Sequence, residues 1–343
     1  MYRENRIGVV IPAYNEEGFV GDVIRTLPTF VDRVYVVDDG STDGTWEEIR
    51  EYATAVVDDG RGEAVQSDGM GSPSSSTTEH GTHVVAIRHH RNRGVGGAIK
   101  TGYRYALADG LDIAAVFGAD GQMDPDRLPS LLDPIVEGRA DYAKGNRLVS
   151  RDYRAGMSRW RFFGNTVLSA LTKFASGYWH TTDPQNGYTA ISRRALERAD
   201  IDGMYEYYGY CNDLLIRLNV AEMHVADVPI PAVYGDEVSH IRYPAYIWNV
   251  SRMLLRGFRW RLETKYVRRT FDPLVAYYAA GALALVAAVV SFVVALGASL
   301  AGRSDGRASI RGTALLAVGV LATALGARSD RAENEHLERR IRE

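Results

Sequence analysis

A chain of 343 residues with 46% apolar and 24% charged residues has the composition of a folded protein and the length for one large domain plus an appendage. Its net charge of −3 averages over zones of opposite character and selects no partner. A single cysteine, Cys211, excludes a disulfide within the chain and a Cys-based zinc site.

Taken in chain order, "MYRENRIGVVIP" runs from polar residues straight into a strand with no apolar stretch of a secretory signal, so the soluble part is expected to stay in the cytoplasm. Strand Ile7 to Ile11 ends in a Pro-Ala-Tyr-Asn turn, and Glu16 and Glu17 open a helix to about Leu27. Strand Arg33 to Val37, the turn Asp38 to Ser41 and a helix from about Gly44 to Ala53 follow. Strand, helix, strand, helix at this spacing predicts a right-handed, mostly parallel α/β sheet with helices on both faces. Asp58 to His83, rich in Gly, Ser, Thr and Asp and without periodicity, is expected to be a disordered surface insertion without chemistry.

Strand "HVVAIRHH" resumes the pattern and leads into "RNRGVGGAIKTGYRYALADG", a glycine-rich turn opening a helix. Gly94, Gly96 and Gly97 do not fit G-x-G-x-x-G, and Lys100-Thr101 lacks the glycine that precedes a P-loop lysine. Two readings of these glycines stay open, close approach to a phosphate at the helix N-terminus and plain tight packing. A strand from Ile113 then delivers "FGADGQMDP", oxygen-bearing side chains at a strand end where open α/β sheets place ligand chemistry. Asp124 before Pro125 reads as a helix cap, whereas Asp120 and Gln122 have no such turn role. Pro125 to Glu137 is the next helix, and "ADYAKGNRL" the next strand, with Arg147 at its end. His89, His90 and His180 lie near strand ends, but no metal spacing links them.

The segment "RYPAYIWNVSRMLLRGFRWRLETKYVRRTF" interleaves Arg and Lys with aromatics and carries Glu263 as its only acid, a pattern for interfacial helices under an anionic leaflet rather than for a nucleic-acid patch. From Leu274 to Gly302 no charge occurs, and at about 1.5 Å per residue such a helix exceeds the roughly 30 Å hydrocarbon core, so it is expected to span a membrane. Gly312 to Ala327, completed by Ile310 and a snorkelling Arg311, is expected to be a second span, a surface helix being the other reading. The resulting division is a soluble domain over 1–240, interfacial helices over 241–272, a membrane hairpin over 273–327 (about 274–300 and 310–327) and a cytoplasmic tail over 328–343.

Six stretches, "VVIPAYNEE", "VVDDGSTDGT", "NRGVGGAIKTGYRYA", "ADGQMDP", "GNRL" and "DPQNGYTAISR", stand in the order and spacing of inverting family 2 glycosyltransferases. Over roughly Arg6 to His240 the chain resembles, within that group, the dolichyl- and polyprenyl-phosphate hexose synthases. The closing "VYGDEVSHIRY" resembles the archaeal and bacterial polyprenyl-phosphate branch, where two C-terminal spans are common. The resemblance implies a GT-A, Rossmann-like domain that holds a nucleotide sugar with Pro12, Ala13, Tyr14, Glu16, Asp39 and Gly97. It implies a divalent cation, Mg2+ or Mn2+, on the family's Asp-x-Asp-x-Gln motif, whose second Asp and Gln match Asp120 and Gln122. The first Asp is replaced here by Gly118, and one carboxylate can suffice because phosphate oxygens and water complete the octahedron.

On the acceptor side the resemblance implies transfer to dolichyl or polyprenyl phosphate, with Arg147 in the family's Gly-Ser-Arg segment and either Arg159 or Arg161 on the acceptor phosphate. An anionic phosphate can attack the anomeric carbon with little need of a base. Asp183 matches the residue usually taken as a base, and it can instead orient acceptor or metal. The expected activity is transfer of a hexose, UDP-glucose being preferred to GDP-mannose as donor, with inversion at the cytoplasmic membrane face, feeding protein or cell-surface glycosylation. Two rivals are a transferase extending a lipid-linked oligosaccharide and a noncatalytic module docking partners at the membrane.

Overall fold

The computed structural model describes residues 1–58, 82–149, 159–231, 243–268, 272–301 and 306–341. Most of the expected insertion, 59–81, lies outside the described residues, but its edges are strands. The chain divides into two compact units, Met1–Gly257 together with His336–Glu343, and Phe258–Glu335.

The first unit is built on apolar runs buried on both faces. Strand β1 (Ile7–Ala13) alternates Val9 and Ile11 into one core and Val10 into the other, and β2 (Arg33–Asp38) does the same with Val34 and Val36 against Tyr35 and Val37. The first core is covered by α1 (Val20–Thr26), α2 (Thr45–Tyr52) and α4 (Leu128–Val136), the second by α3 (Val95–Ala108), α6 (Arg193–Arg198) and α7 (Tyr210–Val220). The remaining strands are β3 (Ala55–Asp58), β4 (His83–Arg88), β5 (Ile113–Val116), β6 (Tyr142–Asn146), β7 (Thr189–Ser192), β8 (Val225–Pro229) and β9 (Glu338–Arg340). Their order is β3-β4-β2-β1-β5-β7-β6-β8-β9, parallel except for β7, which runs antiparallel to both β5 and β6. The GT-A, Rossmann-like sheet with helices on both faces is therefore present, with one reversed strand that the sequence pattern did not announce.

This order positions the site. From β1 the chain winds out through β2 and β4 on one side and returns to β5 on the other, so β1 and β5 flank the point where the strand order reverses. At such a point the connections after the two strands part in opposite directions and leave a crevice at their carboxyl ends.

Three boundaries differ from the sequence reading. Helix α1 begins at Val20 rather than at Glu16, because Asn15 and Gly18 take left-handed backbone, with φ of 56° and 84°, and Glu48 accepts the Gly18 N–H. Ala55–Asp58, which the sequence reading left unassigned up to Asp58, is a strand parallel to β4. Residues 338–340, expected in a cytoplasmic tail, form β9, parallel to β8 in the register Val225↔Glu338.

Helix α8 (Tyr243–Arg261) continues into a π turn over Leu262–Val267, and α9 (Pro273–Leu300) is followed by α10 (Gly306–Asn334). Both α9 and α10 are long and apolar enough to cross a membrane. Gly312, Gly319 and Gly326 recur every seven residues on the buried face of α10; a Cβ at Gly319 would stand 2.8 Å from Leu285 Cγ of α9. The helix runs on to Asn334, past the expected end at Ala327, because the same face continues into Asp330 and Asn334. Arg261 donates to Asp330 Oδ1 and Oδ2, both at 2.8 Å, Tyr266 donates its hydroxyl to Asp330, and Lys265 donates to Asn334. Buried charge is tolerated there because it is paired on both carboxylate oxygens.

Candidate active site

The turns after β1 and β2 are latched together by their own polar groups. The Asp39 N–H donates to Ala13 O (2.8 Å), Asn15 N–H to Ser41 Oγ (3.0 Å), Thr42 N–H to Asn15 Oδ1 (2.9 Å) and Glu16 N–H to Thr45 Oγ1 (2.7 Å). Pro12, Ala13, Asp39 and Glu16 are thereby gathered in one place, with Tyr14 exposed at its rim. Asp38 accepts the Ser41 N–H and shapes the turn. Asp39 is buried, and its Oδ1 is met at 2.9 Å by the Arg93 N–H and at 2.7 Å by His89 Nδ1, while His89 Nε2 lies 3.0 Å from Thr101 Oγ1. His89 thus fixes the orientation of Asp39, a role that a search for metal spacing among histidines could not disclose. Its signal was positional, since β4 adjoins β2 and both end at the same height.

The glycine-rich turn is packed closely against the segment at Tyr205 and Glu206. The Gly97 N–H donates to Glu206 O at 2.9 Å, and a Cβ on Gly96 would lie 2.4 Å from Tyr205 O. Gly97, expected on the nucleotide, has its amide engaged within the protein.

At the end of β5, Asp124 caps the turn Pro125–Arg127 by accepting the Asp126 N–H at 3.0 Å, as the sequence suggested. Asp120 Oδ1 accepts the Gln122 N–H at 3.0 Å and lies over Gly118, where an added Cβ would stand only 2.9 Å from that oxygen. The missing Asp is therefore a space that the Asp120 carboxylate uses. Among the described residues no group of three His, Cys, Asp or Glu could hold a metal alone. Asp120 and the Gln122 side chain nevertheless supply hard oxygens beside a cavity, a donor set that fits a cation carried in on phosphate oxygens.

Arg147, just past β6, meets Asp183 in a bidentate pair. Nε donates to Oδ2 at 2.7 Å and Nη2 to Oδ1 at 2.8 Å, and the Arg147 N–H adds a third bond to Oδ2 at 3.0 Å. Asp183 is fully buried, with a left-handed φ of 48° that Asp tolerates. Burial alone would raise its carboxyl, but the Arg147 hydrogen bonds and charge, with Lys144 behind them, hold it below the ordinary value. In this arrangement the Asp183 carboxylate orients the Arg147 guanidinium. The support continues inward: Lys144 pairs with Asp227 at 2.9 Å, and Asp227 accepts from Asn146 Nδ2 at 2.9 Å and from the Thr182 N–H at 2.8 Å. Glu338 of β9 accepts the N–H groups of Trp179, His180 and Thr181, which lead into that loop. Neither Asp227 nor Glu338 stood out in the sequence, because each acts on backbone far away in the chain.

Pro12, Gly118, Asp120, Gln122, Asp124 and Arg147 line a single cavity of about 420 Å³ with Asn165, Gln185, Asn186, Asn212 and Tyr246. Helix α5 (Arg159–Ser176) supplies Asn165. Arg159 and Arg161 begin this helix, and their side chains lie outside the described residues, as do 150–158 before them. On α5, Phe163, Val167, Leu171 and Phe174 form an exposed apolar stripe, and Ile247, Trp248 and Leu255 of α8 are exposed as well.

Residues 8–199 match the family model described as glycosyl transferase family 2. The UDP-N-acetylglucosamine–dolichyl-phosphate N-acetylglucosaminyltransferase of Methanococcus voltae is 31% identical over 67% of this chain and 86% of that protein. The undecaprenyl-phosphate mannosyltransferase of Micrococcus luteus is 26% identical over 66% of this chain and 84% of that protein. Among solved structures, glucosyl-3-phosphoglycerate synthase from Mycobacterium tuberculosis with UDP aligns at a TM-score of 0.49 and 21% identity, over 75% of this chain and 80% of that one. With a family match over more than half the chain and motifs that converge on one cavity, the chain belongs to glycosyl transferase family 2 and is a glycosyltransferase.

Proposed function

We propose that this glycosyltransferase moves a sugar from a nucleotide sugar to the phosphate of a polyprenol at a membrane surface, by single displacement with inversion. The observation that carries this reading is the make-up of the cavity. Its carboxylates are Asp120, on the Gln122 N–H, and Asp124, a turn cap, while Asp183 is sealed against Arg147. Among the described residues each of these carboxylates is already engaged by the protein, and a lipid phosphate arrives ionised and needs no base. Its oxygen attacks the anomeric carbon, the bond from that carbon to the departing diphosphate breaks, and no proton need be transferred.

In this reading the turns at Pro12 to Glu16 and at Asp39 hold the nucleoside, with Asp39 kept in place by His89. Arg147, locked in orientation by Asp183, faces the phosphates. A divalent cation, Mg2+ or Mn2+, held by Asp120 and Gln122 would neutralise charge on the departing diphosphate. Arg159 or Arg161 at the start of α5 meets the acceptor phosphate. The apolar stripe of α5 and the exposed Ile247 and Trp248, accompanied by Arg252 and Arg256, suit an anionic lipid surface. Helices α9 and α10 form the membrane hairpin, which keeps the catalytic unit on the cytoplasmic face. Relatives named for transfer to dolichyl and undecaprenyl phosphate support the acceptor class.

The test uses purified full-length protein in detergent with dolichyl phosphate, magnesium and radiolabelled UDP- and GDP-sugars, scoring label in the organic phase. Label from one donor, lost in Asp120→Ala, is expected. A folded wild-type protein that labels no lipid from any donor sinks the reading.

A further inference from the structure

We infer that Glu338 is a positioning residue of the transferase: through the loop 177–188 it sets where Asp183 and Arg147 stand. This rests on the reading of the cavity as the catalytic site. Glu338 is not among the residues that line it and comes from β9, the last strand of the same compact unit. Its Oε1 accepts the Trp179 N–H at 2.7 Å, and its Oε2 accepts the N–H groups of His180 at 2.6 Å and Thr181 at 2.9 Å. The next N–H, that of Thr182, donates to Asp227 of the neighbouring strand β8 at 2.8 Å.

Four successive N–H groups are thus held by two carboxylates, and among the described residues none of the four donates to a backbone carbonyl. Hydrogen bonds to an ionised acceptor are the stronger kind, and backbone donors left unmet away from water are costly, so the loop takes the path on which all four are met. That path leads directly to the chemistry. The loop runs between α5 and β7 without regular structure, and past Thr182 it delivers Asp183 to Arg147 and then Gln185, Asn186 and Gly187 to the cavity wall. Only Thr182 separates the last N–H on Glu338 from Asp183, whose left-handed φ of 48° turns the backbone at that point. A shift of the 179–181 backbone is therefore passed to the Asp183 carboxylate and from it to the Arg147 guanidinium. A carboxylate outside the cavity in this way governs the orientation of a cation that lines it.

The experiment compares wild type with Glu338→Ala and Glu338→Gln as full chains in detergent. It follows hydrogen exchange over 179–187 and, per folded molecule, kcat and donor KM in the lipid-labelling reaction. Alanine keeps no acceptor, whereas glutamine keeps one carbonyl oxygen and turns an NH2 toward the remaining N–H groups. Glu338→Ala is expected to exchange faster over 179–187 with β1 and β5 still protected. Its kcat should fall about 10- to 100-fold with donor KM within about twofold, the pattern of a group misplaced for the transition state. Glu338→Gln should lie between alanine and wild type, and it carries the same comparison alone if Glu338→Ala yields no folded protein. A variant that melts earlier yet keeps wild-type kcat per folded molecule overturns the inference and leaves Glu338 a purely structural group. Unchanged exchange over 179–187 overturns it as well, as does a raised donor KM at unchanged kcat. A wild-type protein that labels no lipid overturns the acceptor reading instead, and exchange over 179–187 then still decides whether Glu338 sets the loop.

Discussion

Arg147 holds Asp183 by three hydrogen bonds, two from its guanidinium and one from its backbone N–H, and the carboxylate they hold is fully buried. Asp183→Asn keeps the shape but loses the charge, so Arg147 loosens, and kcat is expected to fall by about 10- to 100-fold through misplacement. The acidic limb of the pH–rate profile should stay where it is. Loss of that limb together with all activity would reinstate Asp183 as a base.

Arg147→Ala strands the buried Asp183 charge and is expected to lower stability by about 3–5 kcal/mol. Denaturant unfolding of the full chain checks it, and a midpoint equal to that of wild type would mean that the pair is not closed in solution.

The same pair sets a pH dependence. The folded carboxyl of Asp183 lies below its unfolded value, so its contribution is complete above the unfolded value and is lost as pH falls through the folded one. Unfolding midpoints measured downward from about pH 6 should fall more steeply for wild type than for Asp183→Asn.

Gly118→Asp restores the family's motif but places a Cβ 2.9 Å from Asp120 Oδ1. Displacement and like-charge repulsion should lower activity and weaken the response to magnesium. Equal or higher activity with tighter dependence on magnesium would show that Asp120 has room to turn aside.

Gly319→Leu in α10 forces atoms against Leu285, whose Cγ and N lie 2.8 and 3.0 Å from the added Cβ. Thermal unfolding in detergent should come earlier by several degrees, on the order of 1–3 kcal/mol of overpacking. Val318→Leu, on the exposed neighbouring face, should leave it unchanged.

What the sequence disclosed follows the range of the interactions involved. Parallel strands buried on both faces read as continuous apolar runs, so β1, β2, β4 and β5 were visible, and Asp124 declared its capping role through the proline beside it. The β3 edge escaped because it is four residues long and abuts an uninformative stretch, and β9 because its pattern is charged. Within the site, Asp120 and Arg147 were marked by position at strand ends. The residues that brace other parts of the site were not, since His89 meets Asp39 fifty residues away and Glu338 meets His180 more than one hundred and fifty away.

The position of β9 has a consequence for biosynthesis. The sheet is laid down as β1 to β8 emerge from the ribosome, yet its last strand follows both long apolar helices in the chain. Until they have been made, β8 presents a row of unpaired amides, and Trp179 to Thr181 await the carboxylate of Glu338. A nascent chain that stalls within the apolar helices carries an open sheet edge, the kind of template on which another strand can add. Completion of the catalytic sheet is thereby made contingent on synthesis of the entire hairpin.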